Sequence, residues 1–167
     1  PDHWHALQTM MACAAGKDVY VEKPLTLFVK EGQWMVQVAR KHNRVVQCGT
    51  QQRSGLHYGA AKRLLNQGYI GKVHSVRAGS YRNIMPGFGR PVADSAPTEL
   101  DYEMWLGPAP KRPYTPHRGL YHFRWFWDYS GGQMTNLGQH SFDIVDWVLG
   151  VKNLMTVCGI GGRFALR

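Results

Sequence analysis

The sequence predicts an α/β fold built around a parallel sheet, and three observations predict it. Over the first fifty residues short apolar strands alternate with helices, the order that a parallel sheet with crossover helices requires. The helical segments repeat apolar residues at i, i+3 and i+4, the spacing of one buried face. Beyond Arg53 the texture changes, which sets a domain boundary near residues 49 to 55 and divides the chain into 1–50 and 51–167.

Residues 4 to 15 read as a helix, with Ala6, Leu7, Met10, Met11 and Ala14 on one face and Gly16 just past its end. Val19, Tyr20 and Val21 follow as a short buried strand that runs into Glu22-Lys23-Pro24. A second helix spans roughly 30 to 42, with Trp34, Met35, Val38 and Ala39 on one face and Asn43 as its stop. Val45-Val46-Gln47-Cys48 is the next strand. Residues 56 to 67 read as a helix with Leu56, Ala60, Ala61, Leu64 and Leu65 inward, and 72 to 82 as an alternating strand. Residues 83 to 120, rich in Pro and Gly, form a long excursion anchored at Trp105 and Leu106; a loop of that length carries function or structure of its own. The aromatic run Tyr121 to Tyr129 reads as core packing, with Trp125 and Trp127 also suited to stacking on a sugar. A helix over 134 to 149 and a strand over 154 to 160 complete the reading.

Composition narrows the function. The formal charge is +9, but Lys and Arg are dispersed and no basic run exceeds two neighbours, so a nucleic-acid surface is disfavoured. Such a charge suits an anionic cofactor or substrate instead. Cys13, Cys48 and Cys158 form no CxxC pair and are odd in number, so reduced, mostly buried thiols are expected. No apolar stretch is long enough to cross a bilayer, and no membrane partner is expected. The chain opens on Pro1 without a Met, and both ends read as cut, which leaves localisation open between cytoplasm and export.

Two motifs carry chemistry. Glu22-Lys23-Pro24 follows a predicted strand, so Lys23 falls at the carboxyl edge of a parallel sheet, where such folds bind ligands. A cation there can face a substrate hydroxyl and stabilise the charge left as its proton departs. Taken alone, the same three residues are equally an exposed strand end. The second motif runs from Gly131-Gly132 into a helix on which Asn136, His140, Asp143 and Trp147 are spaced four, three and four, one stripe of a helix. A His on such a stripe is either a satisfied structural residue or one presented to a pocket to exchange protons near neutral pH.

Together these motifs resemble the glucose-fructose oxidoreductase, inositol dehydrogenase and rhizopine-catabolism family, Gfo/Idh/MocA. That family pairs an EKP-type motif with a Gly-rich turn and a helix bearing Asp-x-x-x-His, in the order and separation found here. The opening Pro1-Asp2-His3-Trp4-His5 is similar to the family's loop beside the nicotinamide, and residues 62 to 77 to its entry into the second domain. The resemblance covers nearly the whole chain. It implies the C-terminal part of a Rossmann-like parallel sheet, followed by an α+β domain with an open, largely antiparallel sheet. It implies a dehydrogenase using NAD or NADP on a sugar, polyol or cyclic alcohol, and a homo-oligomer in the complete protein.

The resemblance also implies roles. Lys23 polarises or holds the substrate hydroxyl, His140 is the general base, and Asn136 and Asp143 orient substrate or His140. Pro1, Asp2, Trp4, His5, Glu22, Lys23, Pro24, Gln52 and Arg53 border the cofactor; Arg124 and Trp125 line the substrate pocket; no metal is expected, the pair His3 and His5 notwithstanding. Arg53 and Arg124 both suit a carboxylate or phosphate. Two departures qualify this. Asn136 stands where the family has Asp, and an amide hydrogen-bonds a hydroxyl but carries no charge and takes no proton. The GxGxxG dinucleotide fingerprint is not in the sequence, and Gly159-x-Gly161-Gly162 lacks its spacing. Two alternatives share the same residues: a glycosidase that oxidises its sugar transiently on bound NAD, and a sugar-binding relative without catalysis.

Overall fold

The computed structural model describes residues 1–79, 92–119, 121–151 and 156–162. Two compact units make up the chain: Pro1–Gly49 with Arg90–Asn136, and Thr50–Gly89 with Leu137–Arg167.

The first unit opens with helix α1 (Asp2–Ala14), strand β1 (Val19–Val21), helix α2 (Val29–Lys41) and strand β2 (Val46–Cys48). As the sequence predicts, β1 and β2 pair in parallel, with Val19 opposite Val46 and Val21 opposite Cys48. Ala6 of α1 and Met35 of α2 meet over Val21, flanked by Met10, Val19, Leu25 and Val46. The Glu31 carboxylate opens α2 by accepting from the amides of Leu27 and Phe28 at 2.9 and 3.0 Å. Asn43, at φ 51°, ends it: its amide donates to Arg40 and that of Arg44 to Ala39, the paired bonds of a Schellman motif. Gly16 closes α1 in the same way.

The second stretch of this unit contains the short helices α4 (Tyr102–Leu106) and α5 (Gly132–Asn136), with a 3₁₀ turn at His122–Trp125. Asp101 caps α4 by accepting from Met104 N at 2.9 Å. The aromatic run is partly core, as expected: Phe123 and Tyr129 are buried with Leu106 against Tyr102, Trp105 and Phe126. Trp127, by contrast, is 87% exposed.

The second unit contains a 3₁₀ turn (Gln51–Ser54), helix α3 (Leu56–Asn66) and helix α6 (Gly138–Leu149). Helices α3 and α6 pack together, with Lys62 Nζ 4.4 Å from the centre of the Trp147 ring.

Four expectations need correction. No residue of α3 is buried, and Leu56, the first residue of its expected inward face, is 91% exposed; the elements that pack most on this helix are α6 and the 3₁₀ turn, too little to cover an apolar stripe. Residues 72–79 and 156–160 form no strand, because a strand needs a ladder partner and neither segment has one among the described residues; 80–82 and 154–155 lie outside them. Only Cys13 of the three thiols is buried. The expected helix over 134 to 149 breaks at Leu137 into α5 and α6.

Candidate functional site

The site is built around Lys23, one residue past the end of the buried strand. Pro24 behind it is buried, and its carbonyl accepts from Nδ1 of His5 on α1 at 2.7 Å. The carbonyl can only accept, so Nδ1 carries a proton. At the end of β2, Gly49 lies under the Glu22 side chain, where an added Cβ would meet the carboxylate at 2.9 Å. Glu22 and Lys23 thus project from the carboxyl edge of the parallel pair, β1 and β2.

Lys23 Nζ donates to the Asn136 carbonyl at 2.6 Å and to Asn136 Oδ1 at 2.9 Å. An ammonium has three protons, so one remains for a ligand. The lysine can only donate, which fixes the Asn136 amide with Oδ1 toward it and Nδ2 away. Burial, then the charge of Arg124, hold the Lys23 amine below the usual lysine range, against the opposing pull of Asp2 and Glu22.

The same contact lies at the break in the helix. In an unbroken helix the Asn136 carbonyl would accept from the amide four residues on. It accepts Lys23 instead, and the His140 amide donates to Leu137 at 3.1 Å. The Gly pair before α5 is equally local in cause. Gly132 adopts φ 66°, and a Cβ on Gly131 would lie 2.5 Å from Thr135 Cγ2, so neither position accepts a side chain without strain.

The opening segment forms a frame. Asp2 is buried and accepts from the Ser130 hydroxyl. Trp4 Nε1 donates to the carbonyls of Trp105 and Met104 at 3.0 and 3.2 Å. His3, 3% exposed, bonds the Trp105 carbonyl through Nε2 at 3.0 Å and stands edge-on to the Trp105 ring. Burial holds the His3 imidazole below the usual histidine range. Pro1 precedes α1 as its N-cap residue. Arg124 stacks its guanidinium over Tyr121 and Phe123, 4.6 and 4.5 Å from the ring centres, and donates Nη1 to the Tyr121 carbonyl at 2.8 Å. Trp125 is half-buried, its Nε1 unpartnered among the described residues.

The remaining candidates lie in the second unit. His140 and Asp143 are on α6, Gln52 and Arg53 in the 3₁₀ turn. Arg53 grips Asp143 through Nε at 2.9 and 3.0 Å and through Nη2 at 2.6 Å. The structure therefore joins Lys23 to Asn136 and Arg53 to Asp143. Sequence reading did not foresee Ser130 or the packing of His3. Their partners lie more than a hundred residues away in the chain, and the only local sign was a Ser placed just before the Gly pair.

Residues 1–50 match the oxidoreductase family's NAD-binding Rossmann fold, and residues 62–158 match its C-terminal alpha/beta domain, both of the Gfo/Idh/MocA group. Among solved structures, the WlbA (WbpB) dehydrogenase of Thermus thermophilus, in complex with NAD and UDP-GlcNAcA, is 23% identical over 89% of this chain and 38% of its own, with a TM-score of 0.53. An NAD-binding protein of Listeria innocua is 20% identical over 89% of this chain and 34% of its own, TM-score 0.55. Both share the fold. The apo scyllo-inositol dehydrogenase of Lactobacillus casei is 36% identical over 43% of this chain, but at a TM-score of 0.40 the likeness carries no argument. The chain spans 22% of that protein and no more than 38% of the other two. No curated protein matches it.

Proposed function

The chain belongs to the Gfo/Idh/MocA oxidoreductase family, and on that premise we propose that the protein transfers hydride between NAD(P) and a hydroxyl-bearing carbon of a sugar, polyol or cyclic alcohol. The observation that carries the reading is Lys23: a half-buried ammonium at the carboxyl edge of a parallel sheet, gripped by Asn136 through two protons and left with a third.

The residues present fit the nicotinamide end of a dinucleotide. Glu22 and Lys23 would hold it at the strand edge, framed by Pro1 and by Pro24 with His5 locked behind it. Asp2 and Trp4 keep their polar atoms on the protein and act by shaping that frame. When bound, the nicotinamide supplies the hydride acceptor. Lys23 donates its remaining proton to the substrate hydroxyl and stabilises the oxygen as it loses its own. Asn136 fixes the direction of that donation and offers Nδ2 to a neighbouring hydroxyl. His140 takes the hydroxyl proton, a role assigned from the family motif. Asp143 acts through Arg53, holding the start of the second unit's helical pair rather than a substrate.

In the protein that carries this chain, Lys23→Ala and His140→Ala should each lower turnover by about 10²-fold or more, with circular dichroism unchanged. Near-normal turnover in both would remove the assignment. Net NADH formation equal to product formed separates this reading from transient oxidation in a glycosidase.

A further inference from the structure

We propose that Arg124 and Lys23 form an oxyanion subsite, and that the sugar this protein takes carries a carboxylate received by the Arg124 guanidinium. The inference rests on the dehydrogenase reading and names its substrate class.

Among the described residues, the Lys23 ammonium donates only to neutral oxygens of Asn136, and the Arg124 guanidinium only to the neutral Tyr121 carbonyl. Neither cation forms an ion pair among the described residues. Asp2 and Glu22 draw on Lys23 without pairing with it, and no carboxylate pairs with Arg124 among the described residues. The Asn136 amide brings no charge of its own to the site. An unpaired guanidinium on the same side of the unit favours an anion as its partner.

Geometry brings them to one place. The 3₁₀ turn bearing Arg124 packs on α5, the helix that presents Asn136 to Lys23. The Arg124 carbonyl lies 4.0 Å from where a Cβ of Gly132 would stand. The charge of Arg124 is felt at Lys23, where it disfavours the protonated amine. The guanidinium is also prepared for a planar partner. Stacked over two rings and tethered by Nη1, it leaves its Nε and Nη2 edge without an acceptor among the described residues. Elsewhere in the same molecule Arg53 grips the Asp143 carboxylate with that very edge. The fork receives a carboxylate or a phosphate alike; the carboxylate on Arg53 is the precedent within this molecule, and the phosphate is an arm of the test.

The test is calorimetric titration of the NAD-loaded protein with matched pairs of neutral hexoses and their uronates, with a hexose phosphate as a third arm. The uronate should bind about tenfold or more tighter than its neutral partner. In Arg124→Met that ratio should fall to about one, and Arg124→Lys, which keeps the charge and loses the fork, should retain part of it. The Lys variant carries the test if the Met variant fails to fold. No uronate preference in the native protein, an unchanged ratio in the variants, or a phosphate that binds more tightly than the uronate overturns the proposal. So does a variant that loses NAD as much as uronate, since Arg124 would then serve the cofactor. A uronate preference without hydride transfer would leave this subsite standing and remove the dehydrogenase reading.

Discussion

His3 shows how a single buried ring ties acid sensitivity to the fold. Its Nε2 donates to the Trp105 carbonyl, and its Nδ1 is buried without a partner among the described residues, so the neutral ring is the form the fold accepts. Burial lowers its folded pKa below 6.5. Between that lowered value and 6.5 the unfolded chain binds a proton that the folded chain does not, so stability rises with pH across this window and is lost as pH falls through it. His3→Gln should flatten the dependence of the melting temperature on pH just below 6.5, whatever it does to the absolute value; an unchanged slope would place the sensitivity elsewhere. None of this was legible in the sequence, where His3 reads as half of a doubtful metal pair. The place of Lys23 at the strand edge was legible, because strand, lysine and proline are local and their order has a physical meaning. Its partner was legible only as a position in a motif. That the Asn136 backbone carbonyl, and not only its side chain, would take the lysine proton required the fold.

At the scale of elements, local rules read well and tertiary cover reads poorly. The ends of α1 and α2 were visible in Gly16 and Asn43, since a left-handed residue past the helix is a local requirement. The parallel pairing of β1 and β2 followed from the alternation of strand and helix. The break at Leu137 did not, because periodicity describes which face a helix buries and cannot register where a single carbonyl finds a distant partner. The exposed face of α3 failed for the complementary reason: an apolar stripe states what a helix is able to bury, not what is present to bury it. The turn after α4 offers a sharper test of packing. Gly107 adopts φ 48°, and an added Cβ would lie 2.1 Å from Trp4 Cζ2, an atom of the indole anchored to Trp105. Gly107→Ala should cost about 2 kcal/mol or more in chemical denaturation, combining backbone strain with overpacking. A loss under about 0.5 kcal/mol would mean that Trp4 is free to move aside.

At the scale of the whole molecule, the chain after the first strands returns to them: Trp105 and Ser130 complete the surroundings of His3, Trp4 and Asp2 from more than a hundred residues away. The fold class and the cofactor were legible, since they rest on patterns that recur along the chain and on motifs in a fixed order. The return was not, because no local pattern encodes which unit a loop-rich stretch packs against. Those long-range contacts are what set Lys23, Asn136 and Arg124 in one unit. The central claim, hydride transfer at Lys23, is tested most directly by single turnover of the protein that carries this chain on a sugar deuterated at the reacting carbon. Deuterium should appear on the nicotinamide at a rate that falls by about 10²-fold or more in Lys23→Ala. A product that forms with no label on the cofactor, or a transfer rate untouched by that substitution, would contradict it.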